Sequence, residues 1–293
     1  MKKQIILKSL IASLVLISNT TYAHEFDDIE NQDAEIEMTE QIRSEQKEYF
    51  EELQENWMRG TWARPRAGGS CKYVSSIFSP PPAKTVVLTF DDGPSSSLTP
   101  LVLDILKKHG VKATFFMKGN AATSKMSIVK RVNAEGHIVA NHSYSHPNFH
   151  TLSQGTQVSE FTTTDSILRS EMPSSTKLFR YPYGNSTCST NALAQRQGYK
   201  IVGWHVDSCD WAFSKNGYVT SKQAALCAVK PANTANFAGH VLSEVRRLNG
   251  GIVLMHEVHQ RTVYSLDEII VRLKREGFTF TNLNDPKMAR YLK

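Results

Sequence analysis

Two adjacent carboxylates, Asp91 and Asp92, close the stretch Val86-Val87-Leu88-Thr89-Phe90-Asp91-Asp92-Gly93-Pro94, and two imidazoles, His142 and His146, stand four residues apart further on. Two histidines and one aspartate make a ligand set for zinc or another borderline divalent ion, with positions left for water and substrate. Asp91 and Asp92 would point to opposite faces of a straight strand. They converge only where the strand ends and the chain turns, which Gly93-Pro94 permits. Either motif alone has a bland reading, an exposed Asp-Asp-Gly turn or a structural histidine pair, and His146/His150 repeats the same spacing. An H-x-x-x-H pair on one helical turn would bring both rings to one face.

Three further stretches carry groups that act on protons or charge. Arg180-Tyr181-Pro182-Tyr183-Gly184 offers a guanidinium that can hold a carboxylate ionised. Its proline fixes the backbone, so that the next N–H can be aimed at a developing oxyanion. Asp207-Ser208-Cys209-Asp210-Trp211 sets acids beside a large aromatic, as a pocket wall or a helix cap would. Leu254-Met255-His256-Glu257 places a histidine after an apolar run, and His259 nearby reads as merely exposed.

All of these must be held by something, and the intervening pattern alternates. Apolar runs near 86–91, 113–116, 137–140, 177–179, 199–204, 252–255 and 278–280 read as about seven strands. Between them, 100–109, 128–134, 157–169, 191–197, 240–248 and 265–276 read as helices, the first capped by Thr99 with Pro100 in its first turn. Strands alternating with helices predict a parallel α/β sheet, and at this length a (β/α) barrel. In such folds chemistry sits at the carboxyl ends of the strands, which is where the five motifs fall.

Residues 1–23 have the three parts of a secretory signal: Lys2, Lys3 and Lys8, an apolar centre over 11–17, and Thr21-Tyr22-Ala23. The apolar run is short for a membrane span. The chain is therefore expected to be exported, to the periplasm or beyond, without a stable membrane anchor after cleavage. Residues 24–70 read as an acidic arm with one helix over 40–58, and 71–293 as the catalytic domain. Residues 24–56 carry a net charge of −11, whereas 57–293 carry +14. A basic body suits an anionic or wall-like polymer, and no nucleic-acid motif accompanies the charge. Cys71, Cys188, Cys209 and Cys227 lack the close spacing of a thiolate zinc site and predict one or two disulfides, with three pairings open. Oligomeric state has no signature.

Taken in order, Thr89-Phe90-Asp91-Asp92-Gly93-Pro94, His142-Ser143-x-x-His146, Arg180-x-Pro182-Tyr183-Gly184, Asp207-x-x-Asp210-Trp211 and Leu254-x-His256 resemble the five motifs of the polysaccharide deacetylases, the NodB-homology group or carbohydrate esterase family four. The resemblance covers roughly 84–283, with Tyr181 at a variable position and Glu257 in place of a common Asp. It implies a distorted (β/α) barrel and a divalent metal, zinc first with cobalt, manganese or nickel as alternatives, on Asp92, His142 and His146. It further implies Asp91 as base kept ionised by Arg180, an oxyanion between the metal and the Tyr183 N–H, His256 as acid supported by Asp210, and Trp211 on the sugar wall. The implied reaction is removal of N-acetyl groups from a glycan, with peptidoglycan N-acetylglucosamine as the expected substrate. An acetyl-xylan type O-deacetylase and a non-catalytic exported carbohydrate-binding protein are the alternatives.

Overall fold

The computed structural model describes residues 75–171 and 177–293. The expected signal segment over 1–23, the expected acidic arm over 24–70 with a helix over 40–58, and Cys71 lie outside the described residues.

Eight strands, β1 (Thr85–Asp91), β2 (Thr114–Met117), β3 (Ile138–Asn141), β4 (Lys177–Phe179), β5 (Tyr199–Ile201), β6 (Val206–Asp207), β7 (Gly250–His256) and β8 (Thr279–Thr281), form one sheet. Every pairing between them is parallel. The order is β5-β4-β3-β2-β1-β7-β6, with β8 beside the first half of β1. The expected α/β barrel is thus present as a curled parallel sheet. The one strand not among the seven expected runs, β6, is only two residues long and offers no periodicity to read.

β1 is buried at all seven positions, because helices cover one face and the curled sheet encloses the other. Val86, Leu88 and Phe90 pack in the outer core, whereas Val87 packs in the inner cluster with Phe116, Ile138 and Ile252. The two-residue period then places Thr89 and Asp91 on the inner face with Val87.

The outer layer comprises α1 (Leu98–Lys108), α2 (Gly119–Thr123), α3 (Met126–Ala134), α4 (Gln154–Leu168), α5 (Cys188–Arg196), α6 (Asp210–Asn216), α7 (Ser221–Leu226), α8 (Phe237–Leu248) and α9 (Gln260–Arg275). Thr99 does not cap α1. Ser95 Oγ instead accepts from the Leu98 N–H at 3.2 Å, and Thr99 Oγ1 accepts from the Ser95 N–H at 2.8 Å. Cys209 and Cys227 form a disulfide between the start of α6 and the end of α7, and no described cysteine is free.

Why the sheet curls follows from its order. β5 and β6 lie at opposite ends of the path, yet five Cα steps join Ile201 to Val206. Five steps reach at most about 18 Å, whereas seven flat strands would hold their edges roughly 29 Å apart. Only a curled sheet satisfies both. The seam is bridged by single backbone bonds: Ile77 N–H to Trp204 O at 2.8 Å, Trp204 N–H to Ser75 O at 2.7 Å, and His205 N–H to Ile252 O at 2.9 Å.

Candidate active site

Parallel strands end on one rim. Asp91 closes β1, His142 follows β3, Arg180 follows β4, Asp207 closes β6, Asp210 opens α6 and His256 closes β7. All five motifs are therefore brought to one mouth of the sheet, as strand-end positions require.

Asp92, His142 and His146 offer ligand atoms that lie within 4.8 Å of one another. Asp92 Oδ1 is 3.3 Å from His146 Nε2 and 3.7 Å from His142 Nε2. This oxygen is buried and accepts no hydrogen bond. His142 Nδ1 stands 2.8 Å from the Arg180 carbonyl oxygen. A carbonyl only accepts, so Nδ1 carries the hydrogen and Nε2 keeps its lone pair toward Asp92. Burial lowers both imidazole pKa values, that of His142 against the pull of Asp91 and Asp92 and that of His146, to about 3, against the pull of Asp92. Burial works to raise Asp92, but the surrounding imidazoles and Lys118, 4.0 Å away, outweigh it and hold the carboxyl below the usual range. Two neutral imidazoles and one carboxylate aimed at a common point fit a divalent ion.

The two rings do not meet on a helical face as the spacing predicts. Residues 142–146 form a loop in which Ser143 (φ 69°) and His146 (φ 63°) are left-handed. Glu160 of α4 holds it: its carboxylate accepts from the Tyr144 N–H at 2.7 Å, the Ser145 N–H at 2.8 Å and the Ser145 hydroxyl at 2.8 Å. Asn141 Oδ1 accepts from the Ser143 N–H at 2.8 Å, and Ser143 Oγ from the His146 N–H at 3.0 Å. Neither Glu160 nor Asn141 is marked by spacing in the sequence, because each acts on backbone rather than on ligand. His150, the other half of the second histidine pair, is exposed on a 3-10 turn.

Arg180 is fully buried under Asp91. Nη1 donates to Asp91 Oδ1 at 2.7 Å and to Thr89 Oγ1 at 2.8 Å, while Nε and Nη2 donate to the Val202 and Gly203 carbonyls at 3.3 and 3.2 Å. Its guanidinium lies 4.3 Å from the centre of the Phe116 ring. Asp91 Oδ2 is left facing His142 Nε2 at 3.8 Å. The base candidate thus has one oxygen committed to a cation and the other turned to the metal candidate.

Opposite stands a second proton-handling group. His256 Nδ1 is 2.7 Å from Asp210 Oδ1, and Asp210 also accepts from the His256 N–H at 2.6 Å, the Thr262 hydroxyl at 2.6 Å and the Trp211 N–H at 2.9 Å. Burial acts to lower His256, but the Asp210 charge and hydrogen bond, with Asp92 and Asp91, raise it to about 10. Asp210 is held down at about 2, against burial, chiefly by His256.

His259, expected to be merely exposed, is half-buried with its ring centroid 5.6 Å from that of His256. Asp210, His256 and His259 are also close enough to share an ion. Their chemistry differs, since the Asp210 oxygens already accept four hydrogen bonds and His256 holds a proton that an ion would have to displace. One triad is prepared for a metal and the other for a proton.

Tyr183 sits in a 3-10 turn, Pro182–Gly184, in a left-handed conformation (φ 57°, ψ 8°). Its ring meets His146 edge-on at 4.7 Å. Gly184 is also left-handed (φ 65°), and a Cβ there would fall 2.4 Å from Ser75 Cβ and 2.7 Å from Trp204. Trp211 is half-buried against the outer core, leaving part of its ring at the surface. Asp207 is raised to about 6 by burial, with Asp210 and Asp91 adding repulsion.

Glu257 is buried beside the acids with neither carboxyl oxygen hydrogen-bonded, and burial followed by the Asp91 and Asp92 charges raises it well above the usual range. It lies against Gly93, where a Cβ would fall 1.6 Å from Glu257 Oε1. Sequence patterning marks it only as a departure from a common aspartate.

The polysaccharide deacetylase profile matches residues 78–202. The peptidoglycan-N-acetylglucosamine deacetylase PgdA of Listeria monocytogenes is 36% identical over 208 residues, which cover 70% of this chain and 40% of that protein, so the chain spans less than half the length of this relative. A peptidoglycan-N-acetylglucosamine deacetylase of Bacillus cereus is 34% identical over 216 residues, covering 72% of this chain and 71% of the relative. Among solved structures, the Bc1960 peptidoglycan N-acetylglucosamine deacetylase superposes with a TM-score of 0.60 at 33% identity, covering 74% of this chain and 94% of that one.

Proposed function

The chain belongs to the polysaccharide deacetylase family, and from that premise we propose that it is an exported, metal-dependent hydrolase that removes N-acetyl groups from a wall glycan, with peptidoglycan N-acetylglucosamine as its substrate. The observation that carries the reading is that Asp91 Oδ2 lies 3.8 Å from His142 Nε2 at the edge of the Asp92–His142–His146 triad, with protonated His256 on the same rim.

Asp92, His142 and His146 would hold a divalent ion, zinc first, which would supply Lewis-acid polarisation of the acetamide carbonyl and a lowered pKa for the attacking water. Asp91 Oδ2 receives the proton of that water, while Arg180 binds Oδ1 and fixes the carboxylate's rotation. The Tyr183 N–H, on its strained turn, is the backbone donor for the developing oxyanion. His256 passes its proton to the leaving nitrogen, and Asp210 balances the imidazolium and locks the ring through Nδ1. The exposed part of Trp211 lines the sugar-binding wall.

Amide cleavage needs that proton donor, whereas an ester leaves without a strong one, so the His256–Asp210 pair favours the N-deacetylase over the acetyl-xylan reading. The deciding experiment is mass spectrometry and acetate assay on purified peptidoglycan and chitooligosaccharide with metal-loaded protein. Loss of acetyl groups from the glycan with matching release of acetate, abolished by Asp91→Asn, supports the reading. No acetate from either glycan overturns it. His256→Ala should impair amide cleavage far more than cleavage of an O-acetyl ester.

A further inference from the structure

Beside the rim, and outside the groups assigned above, is a recess of about 590 Å³ whose walls include Leu98, Ser214, His259, Arg261 and Tyr264. It adjoins the reaction centre directly, because the His259 ring in its wall contacts the His256 ring at 5.6 Å.

Arg261 is anomalous. Of the described arginines only Arg131, Arg180 and Arg261 are withdrawn from full exposure. Arg131 is paired with Asp104 and with Glu135, the latter at 2.7 Å, and Arg180 is paired with Asp91 at 2.7 Å. Arg261 makes no hydrogen bond or ion pair with a described residue, and its Nε is shut off from solvent without a hydrogen bond. Its Nε has lost water without gaining an acceptor, which is unfavourable in the free protein. The cost is recovered when a ligand brings an anion, and a planar carboxylate matches the guanidinium fork. Tyr264, 72% exposed on the same wall, offers a ring on which a sugar face can rest, with its hydroxyl free to meet a polar edge.

We propose that this recess is a subsite for a carboxylate carried by the glycan, with Arg261 as its receptor and Tyr264 as the platform for the adjoining sugar, so that the enzyme prefers an acidic strand to a neutral one. The proposal rests on the deacetylase reading and narrows its substrate class. In peptidoglycan the carboxylate is available from the lactyl ether of the muramic residue or from the stem peptide. Chitooligosaccharides have neither.

The test compares four probes: chitotetraose, a peptide-free N-acetylglucosamine–N-acetylmuramic acid tetrasaccharide, the same tetrasaccharide with its lactyl carboxylates amidated, and a form bearing stem peptides. The readout is the ratio of kcat/KM on each acidic probe to that on the amidated one, for the native protein, Arg261→Gln, Arg261→Lys and Tyr264→Ala. The native ratio should exceed one, and Arg261→Gln should reduce it about tenfold or more, the scale of one charge-assisted hydrogen bond. Arg261→Lys should retain part of it.

A ratio that falls on the peptide-free probe assigns the lactyl carboxylate, and one that falls only on the peptide-bearing probe assigns the peptide. A ratio of one in the native protein, or one unchanged in Arg261→Gln, overturns the subsite. Acetate release from no probe would overturn the deacetylase reading instead. In that event calorimetric binding of the acidic and amidated tetrasaccharides, native against Arg261→Gln, still decides the subsite.

Discussion

Asp210 grips His256 at two points, with Oδ1 2.7 Å from the ring Nδ1 and Oδ2 accepting the backbone N–H at 2.6 Å. The aspartate fixes where the imidazole stands as well as how strongly it holds a proton. Since the raised pKa of about 10 depends on the Asp210 charge opposing burial, Asp210→Asn should bring the basic limb of kcat down by up to roughly 3 pH units, toward the ordinary histidine value. A divalent ion on Asp92 would cancel another of the supporting charges, so the limb of the loaded enzyme should lie below 10. The sign of the stability effect follows. The His256 contribution is complete below 6.5 and lost as pH rises through about 10. The Asp210 contribution is lost as pH falls from 3.8 through about 2. Profiles of kcat and of urea midpoint against pH, for both proteins, check each part.

Removal of the Arg180 guanidinium leaves Asp91 buried without its cation. Arg180→Met should therefore destabilise the fold by about 3–5 kcal/mol. The double variant Arg180→Met with Asp91→Asn should recover much of that stability and none of the acetate release. Equal destabilisation of the single and double variants in urea titrations would contradict the assignment.

Chelation should abolish acetate release and lower the unfolding midpoint, and zinc should restore both. With free ion at 100 times its dissociation constant, the folded state should gain about 2.7 kcal/mol. His146→Gln should lose most of this gain and the bound metal, as read by thermal unfolding and by elemental analysis of the purified protein. A native protein that retains no metal and gains no stability would remove the metal centre from the proposal.

Gly93 and Glu257 occupy each other's space, since a Cβ at Gly93 would fall 1.6 Å from Glu257 Oε1. Gly93→Ala should lose about 1–3 kcal/mol or more through overpacking, and adding Glu257→Ala should relieve part of the loss. Glu257→Gln tests the charge separately. A raised carboxyl pKa penalises the folded state above the ordinary 4.5. The glutamine variant should therefore match the native protein below that pH and grow more stable relative to it as pH rises, by about 1.4 kcal/mol per unit until the folded pKa is reached.

What was legible in the sequence is what a parallel sheet writes locally. Strand β4 coincides with the run expected at 177–179, and each motif follows an apolar run because strand ends are where such folds can expose polar groups. The converging histidines were legible as residue types, but not as a loop, since the left-handed turns at Ser143 and His146 depend on Glu160 reaching across from α4. The partly buried place of His259 is likewise set by packing against His256. The expected strand over 199–204 stops at Ile201 because the next residues cross the seam. The short helices α6 and α7 and strand β6 fall below the length at which periodicity speaks.

That seam divides the molecule mechanically. β1 has neighbours on both flanks, β7 on one side and β2 and β8 on the other, whereas 202–205 is held by isolated bonds. Amide protons should exchange slowly along the former and early along the latter. The aspartate cast as base is therefore mounted on a strand paired along both flanks, and its arginine reaches through the Val202 and Gly203 carbonyls to a segment held by isolated bonds. Local breathing of the wall would reach the reaction centre through that single guanidinium.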